Sequence, residues 1–545
     1  MKGIRRFFAN AALLTLSALI MRSISVSFGA YVSKTAGAEA MGLFTLIMSV
    51  FGFALTLATS GVNLAVTRMV SEALGQNDEA LAKKSMQKCL FYCLFFSFLS
   101  GILLFTLARP IGFIILKEPR TVLSLKILAV SLPFISFTSA FTGYFSAVRR
   151  VYKNTVYQIS EQFIKIYFTV KLFEIFIGKG IEYACIALVV ADVISEFSAF
   201  IISGVMYHFD RKKHIKPKTL MPDGNNISKK LLSIALPVAL STYIRSGLLT
   251  VEHILIPRNL IKSGYSNSEA LSLYGLVHSM AMPIILFPTA ILSSFAGLLI
   301  PELAEASVKN KKALVESIAT RAFKYSFIFS LAISGLLICF SDELGRMIYN
   351  SSEVGEYIRL IAPLVPVMYL DSVTDAMLKG LGEQVYSMNV NIIDASLSII
   401  LVMTLLPRFG IMGYISTIYI TESINAFLSV SKLVKITEMR PDLHRLVFLP
   451  MISQIASVSI GKLMHNLIDL PFSPLLNLIS SAAFIICVYV FFIRFTGAVN
   501  RRDVVWLKYA IGIKQFSEDR SSLRPDARKR VAPQPRELPR NIRKC

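Results

Sequence analysis

Fourteen polar side chains stand in stretches that are otherwise apolar, and their types decide what chemistry the chain has to offer. Arg22 lies near the middle of FANAALLTLSALIMRSISVSFGAYVS, residues 8–33, and Arg245 near the middle of LLSIALPVALSTYIRSGLLTVEHILIP, residues 231–257. Two guanidinium groups facing one cavity would grip an anionic headgroup, above all a pyrophosphate, because each presents a planar fork of donors that stays charged. Each would equally serve to tie its own bundle together through carbonyls or a carboxylate. Glu252 follows Arg245 by seven residues, two helical turns, so the pair shares a face. It would pair with substrate, bind a coupling cation or hold Arg245 in place. Asp371, Asp375 and Lys379 recur every four residues, either as a charged lining for a pathway or as an ion-paired ladder. Asn391, Asp394, Glu422 and Asn425 offer oxygen ligands to a coupling Na+ or H+. Glu161 with Lys165, and Asp192 with Glu196, have i,i+4 spacing, and the first pair reads as structural.

Carboxylates outnumber arginines in these stretches, so the cavity they imply is mixed in charge. It fits a substrate with phosphate and sugar or amino groups, and it also fits a cationic drug. No catalytic residue emerges. The nearest sequence to a phosphate-binding loop, GAYVSKT at 29–35, lacks the glycine before its lysine. No HExxH, GxSxG or CxxC pattern occurs, and the six cysteines have neither metal nor disulfide spacing. The chain therefore reads as a non-enzyme without cofactor or metal. An ion gradient, the membrane potential or downhill flow must drive any work it does.

The elements that position these residues are membrane helices. Of 545 residues, 54% are hydrophobic and 17% charged, where a soluble protein would carry nearer a quarter charged. Fourteen apolar windows of about 19 residues lie between 9 and 496. An arginine in such a window costs at least ~2.5 kcal/mol to insert, so it should face protein or water. The windows fall into two copies. Met21-Arg22-Ser23 returns as Ile244-Arg245-Ser246 at an offset of 223, and Glu39-Ala40 as Glu269-Ala270 at 230. Ser71-Glu72-Ala73 returns as Ala304-Glu305-Ala306 at 233. A slowly drifting offset is the behaviour of a duplicated module.

Alternate connections carry 23 Lys and Arg on one side and 10 on the other, which places both termini in the cytoplasm. The expected organisation is an N-terminal six-helix lobe at 1–207, a cytoplasmic linker at 208–230 and a C-terminal six-helix lobe at 231–435. Two extra helices at 446–496 and a disordered basic tail at 497–545 complete it. The net charge of +23 belongs to loops and tail, and points to anionic membrane lipids rather than nucleic acid. Pro133, Pro237, Pro283, Pro288, Pro363 and Pro366 lie within spans and should bend them.

GAEAMGLFTLIMSVFGFALTLATSGVNLAVTRMVSEA at 37–73 and LYGLVHSMAMPIILFPTAILSSFAGLLIPELAEA at 273–306 resemble the second and eighth helices of the multidrug/oligosaccharidyl-lipid/polysaccharide (MOP) exporter superfamily. The similarity spans about residues 5–496 and points to the polysaccharide-transporter branch that holds the stage V sporulation protein B family. It implies an all-α membrane fold of two parallel six-helix lobes in a V, with two further helices making a groove for a lipid tail. It also implies that Arg22 matches a first-helix arginine important in lipid II flippases. The expected function is a flippase for a polyprenyl-pyrophosphate-linked saccharide in the bacterial cytoplasmic membrane, acting as a monomer. Arg22, Arg245, Glu252, Asp371, Asp375 and Lys379 would meet substrate. A cation-coupled multidrug exporter, and a scaffold that recruits cell-wall synthesis enzymes, are the rival expectations.

Overall fold

The computed structural model describes residues 2–76, 78–150, 152–214, 224–439, 442, 444–467 and 474–499. The middle of the expected linker, 215–223, and the tail from 500 onward lie outside them. Helix follows helix with only short turns, and no strand occurs among the described residues. An apolar chain in hydrocarbon has no water to satisfy its amides, so helices that bond internally are the solution.

The first half comprises α1 (Lys2–Thr59), α2 (Val62–Gly75), α3 (Glu79–Pro110), α4 (Thr121–Ala129), α5 (Leu132–Ala147), α6 (Tyr152–Phe176) and α7 (Ile181–His214). The second comprises α8 (Gly224–Lys262), α9 (Asn267–Tyr274), α10 (Met282–Leu286), α11 (Thr289–Val308), α12 (Lys312–Cys339), α13 (Ser341–Leu344), α14 (Ser352–Ile361), α15 (Val365–Gly380) and α16 (Gln384–Thr437). Then come α17 (Leu449–Leu467) and α18 (Pro474–Phe495). Helices α7 and α8 both extend into the segment expected to be linker.

Among the described residues, eleven helical stretches are long and apolar enough to cross a membrane, or twelve with α4 and α5, bent by 47°, taken as one span. Fourteen were expected, and the difference has identifiable sources. Helices α1 and α16 run 58 and 54 residues, upwards of ~80 Å against a hydrocarbon core of ~30 Å. Each bends at a glycine, Gly37 (φ 85°) and Gly410 (φ 57°), where a left-handed backbone needs no Cβ. Helix α6 carries too many charges, Glu161, Lys165 and Lys171 among them, and the expected eighth span is divided at Pro288.

Most of the prolines fall where helices begin, and at least one such break bends its span, α4 meeting α5 at 47° just ahead of Pro133. Pro133, Pro283 and Pro366 sit in the first turns of α5, α10 and α15, Pro288 precedes α11, and Pro363 lies in a short 3-10 turn. Pro237 is inside α8.

Ion pairs define two ends of the bundle. At the basic end Lys230 meets Glu72 (2.6 Å), Arg150 and Lys153 meet Asp210, and Lys312 meets Glu438 (2.7 Å). The opposite end holds the turns around Gly37, Glu118, Gly180, Tyr265 and Gly410. Helices α17 and α18 pack on each other and on α12. Gly335 makes room for the buried amide of Gln454, with which a Cβ would collide, and the Tyr489 hydroxyl donates to the Ile328 carbonyl at 3.1 Å.

Candidate functional site

The two halves meet where α1 runs along a π-helical turn, Gly275–Ala281, and along α8. Gly42 and Gly275 bring backbone against backbone: a Cβ on Gly42 would overlap the Leu271 carbonyl, and one on Gly275 the Ala38 carbonyl. Close approach of small residues lets polar side chains bond across membrane helices. Thr45 and Ser279 hydroxyls are 2.5 Å apart, Thr250 donates to the Ser49 carbonyl (3.0 Å), Thr56 to the Ser246 hydroxyl (3.1 Å), and Ser60 bonds Tyr243.

At the opposite end the halves are joined by a polar latch. Arg120 holds Glu118 through Nε (2.6 Å) and Nη2 (2.9 Å) and reaches Glu39 through Nη1 (2.9 Å). From the other half, Asn267 donates to Glu118 (2.7 Å) and Ser268 to Glu39 (2.5 Å). Burial by itself would raise the Glu118 carboxyl, but the bonds from Arg120 and Asn267 outweigh it and hold the group below the usual carboxylate range. The latch is therefore at full strength above the ordinary value of 4.5 and weakens as pH falls through the lower value of the latched carboxyl. Arg120→Ala strands a carboxylate that is 3% exposed, at a cost on the order of 2 kcal/mol. The variant is expected to populate a state open at this end more than tenfold above wild type, read by accessibility of cysteines placed beneath the latch.

Arg22 crosses the divide. The break at Pro288 sends the Ala290 amide to Phe287 rather than to Leu286, which leaves the Leu286 carbonyl to other donors. Thr289 donates to it at 2.5 Å, and Arg22 Nη2 does so from the other half at 3.2 Å. Arg245 is exposed, and among the described residues it has no hydrogen bond or ion pair. It lies within electrostatic reach of Asp394.

The structure gathers four carboxyls of the second half. Glu252 on α8 accepts from Ser398 on α16 at 2.6 Å rather than holding Arg245. Asn425 donates to Asp371 at 3.2 Å. Glu422 lies within electrostatic reach of Glu252, Asp371 and Asp394. One oxygen of Asp371 and one of Asp394 are buried without a partner among the described residues. Those residues include no group of three His, Cys, Asp or Glu placed to hold a metal ion.

The remaining candidates sit apart. Asp375 pairs with Lys379 (2.5 Å) and accepts from Ser387, so the expected stripe divides, Asp371 going to Asn425. Asn391 bonds the Ser387 carbonyl of its own helix at 2.7 Å. In the first half Lys165 pairs with Asp192 across α6 and α7, not with Glu161 as its spacing suggested. Sequence reasoning passed over His253 and Tyr274, whose ring nitrogen and hydroxyl lie 2.8 Å apart. Polar rings beside Pro257 and Pro283 were the signal for them.

An apolar groove of about 790 Å³ lies between α1, the Pro288 break, α12 and α18. Ser23, Val26, Pro288, Leu337, Leu478 and Ala482 line it, and Lys34 stands at its rim, 3.4 Å from the Met347 carbonyl.

Residues 7–307 match the polysaccharide biosynthesis protein family, and 258–404 match the MatE family. Stage V sporulation protein B of Bacillus subtilis (strain 168) is 24% identical over 75% of this chain and 79% of its own. Lipid II flippase MurJ of the same organism is 22% identical over 77% and 81%. Among solved structures, lipid II flippase MurJ in an inward closed conformation aligns with TM-score 0.61 at 15% identity, over 92% of this chain and 99% of that one. An inward-facing multidrug resistance MATE family transporter of the MOP superfamily aligns with TM-score 0.60 at 16% identity, over 78% and 98%. With more than half its length matched, the chain belongs to the polysaccharide biosynthesis protein family, and its all-helical, multi-pass fold is that of the MurJ and MATE structures.

Proposed function

We propose that this transporter is a flippase, moving a polyprenyl-pyrophosphate-linked saccharide, a cell-wall or spore-cortex precursor, from inner to outer leaflet by alternating access. The basic end, with both termini, faces the cytoplasm. The observation that carries the reading is the apolar groove against α18, which begins at Ser23, one residue from the Arg22 guanidinium. A lipid tail needs an oily path beside the polar one that its headgroup takes, and a soluble drug does not. Arg22 and Arg245 would hold the pyrophosphate, with Glu252, Asp371, Asp375 and Lys379 toward the sugars. Asp394, Glu422 and Asn425 are the candidates for coupling.

The test is direct. Vesicles holding the purified chain and a fluorophore-labelled polyprenyl-pyrophosphate saccharide should equilibrate label between leaflets at least about tenfold faster than empty vesicles, a barrier change of ~1.4 kcal/mol. The four gathered carboxyls favour a second reading, a cation-coupled exporter. Accumulation of a cationic dye by the same vesicles, with no acceleration of the lipid, would establish that reading instead.

A further inference from the structure

Two imidazoles face each other inside the second half. His278 lies in the π-helical turn 275–281, a widened turn of the kind found at functional sites, here just ahead of Pro283, which has no amide to give. His253 lies on α8 four residues before Pro257, so its own carbonyl loses its helical partner. The ring centroids are 4.6 Å apart at 73°, and Tyr274 stacks on His278 at 5.5 Å and 15°. The fully buried Tyr274 places its hydroxyl 2.8 Å from His253 Nδ1. With that hydroxyl donating, His253 is the neutral tautomer with its proton on Nε2.

The same turn is where the halves touch. Gly275 abuts Ala38 and Gly42, Ser279 bonds Thr45, and Met280 accepts from Ser33 at 3.4 Å. We infer that His253 and His278 form a proton-uptake site distinct from the carboxyls proposed for coupling, and that uptake there releases the π-turn from α1. The proton adds to Nδ1 of His253 as the Tyr274 hydroxyl turns from donor to acceptor, and no other bond is made or broken. The inference deepens the transport reading and rests on it.

The titratable and charged groups on the elements packed around the pair are few, and most are engaged. Helix α1 brings Glu39, committed to Arg120 and Ser268, and Lys34, on the Met347 carbonyl. Helix α8 brings Glu252, on Ser398, and Arg245. Helix α9 brings Glu269, committed to the Ser266 cap. Helix α14 brings Glu353, Glu356, Tyr357 and Arg359, the last paired with Asp342. Helix α16 brings Tyr414 and Asp394. Among the described residues none of these makes an ion pair with either imidazole.

The test uses the full chain in lipid nanodiscs without cargo, with spin labels at Lys117 and Arg408, exposed at the opposite end in different halves. Between pH 8 and 4 the distance distribution should move to longer values as the His253 imidazole takes up its proton. The His253→Gln/His278→Gln chain should keep the short distance at pH 8 and lose the shift. Nitrogen-15 spectra of histidine-labelled wild type give a second readout: one of the six imidazoles, that of His253, should gain a proton with the same midpoint. A wild type indifferent to pH, a double variant that shifts like wild type, or a shift during which no imidazole titrates would each overturn the inference. Vesicle flux of labelled lipid is scored separately, so a chain that titrates but moves no lipid loses its cargo assignment, and one that moves lipid without titrating loses its proton site.

Discussion

Arg245→Ala is expected to slow movement of lipid-linked saccharide at least about a hundredfold, since a charge-assisted bond to phosphate is worth ~1.5–3 kcal/mol and a fork makes two. Arg245 is exposed and within electrostatic reach of Asp394, and it has no hydrogen-bond or ion-pair partner among the described residues to release before it can bind. Without it, Glu252, Asp371, Asp394 and Glu422 present negative charge to a negative headgroup. Arg245→Lys keeps the charge and loses the planar fork, so an intermediate rate is expected. The vesicle assay measures all three chains, and an unchanged melting profile separates lost function from lost fold. A wild-type rate for Arg245→Ala would remove this residue from the substrate site.

Gly42→Leu should have the second largest effect, and of a different kind. A Cβ at Gly42 would occupy the space of the Leu271 carbonyl, and the facing Gly275 offers no slack because its own Cβ position meets Ala38. Overpacking of this sort costs ~1–3 kcal/mol or more, and here it falls on the closed arrangement alone. Each half has a hydrophobic core built mostly from its own residues, so the chain should fold but spend its time open at the latch end. Spin labels at Lys117 and Arg408 should show the long distance already at pH 8. Gly52→Leu, on the same helix with nothing within 4 Å of its Cβ position, is the control and should leave the short distance in place.

Much of this architecture was legible because composition and repetition are properties of the whole chain. An apolar majority requires membrane helices, and the recurrence of Arg22 at Arg245 marks the two halves. What stayed hidden depends on single atoms. Gly37 and Gly410 lie between apolar windows, and at each the two expected spans run end to end through one non-helical glycine, so that each pair appears as a single long bent helix. Pro133 and Pro363 advertise kinks, and the chain places both at breaks between helices, with a 47° bend ahead of Pro133. Spacing pairs Lys165 with Glu161, but Asp192 on the neighbouring helix is the partner it takes. Likewise Asp371 and Asp375 share a helical face, while their partners, Asn425 and Lys379, come from different directions. The contact of Arg22 with Leu286 was beyond sequence altogether, because it depends on which amide the Pro288 break redirects.

The bend at Gly37 makes α1 a lever with its fulcrum near the latch. Fifteen residues separate Gly37 from Arg22, an arm of ~22 Å at 1.5 Å per residue. A swing of about 10° about that fulcrum carries the Arg22 backbone ~4 Å, well past the tolerance of a hydrogen bond. The grip on Leu286 thus behaves as a toggle, made or broken by a tilt too small to disturb the rod itself.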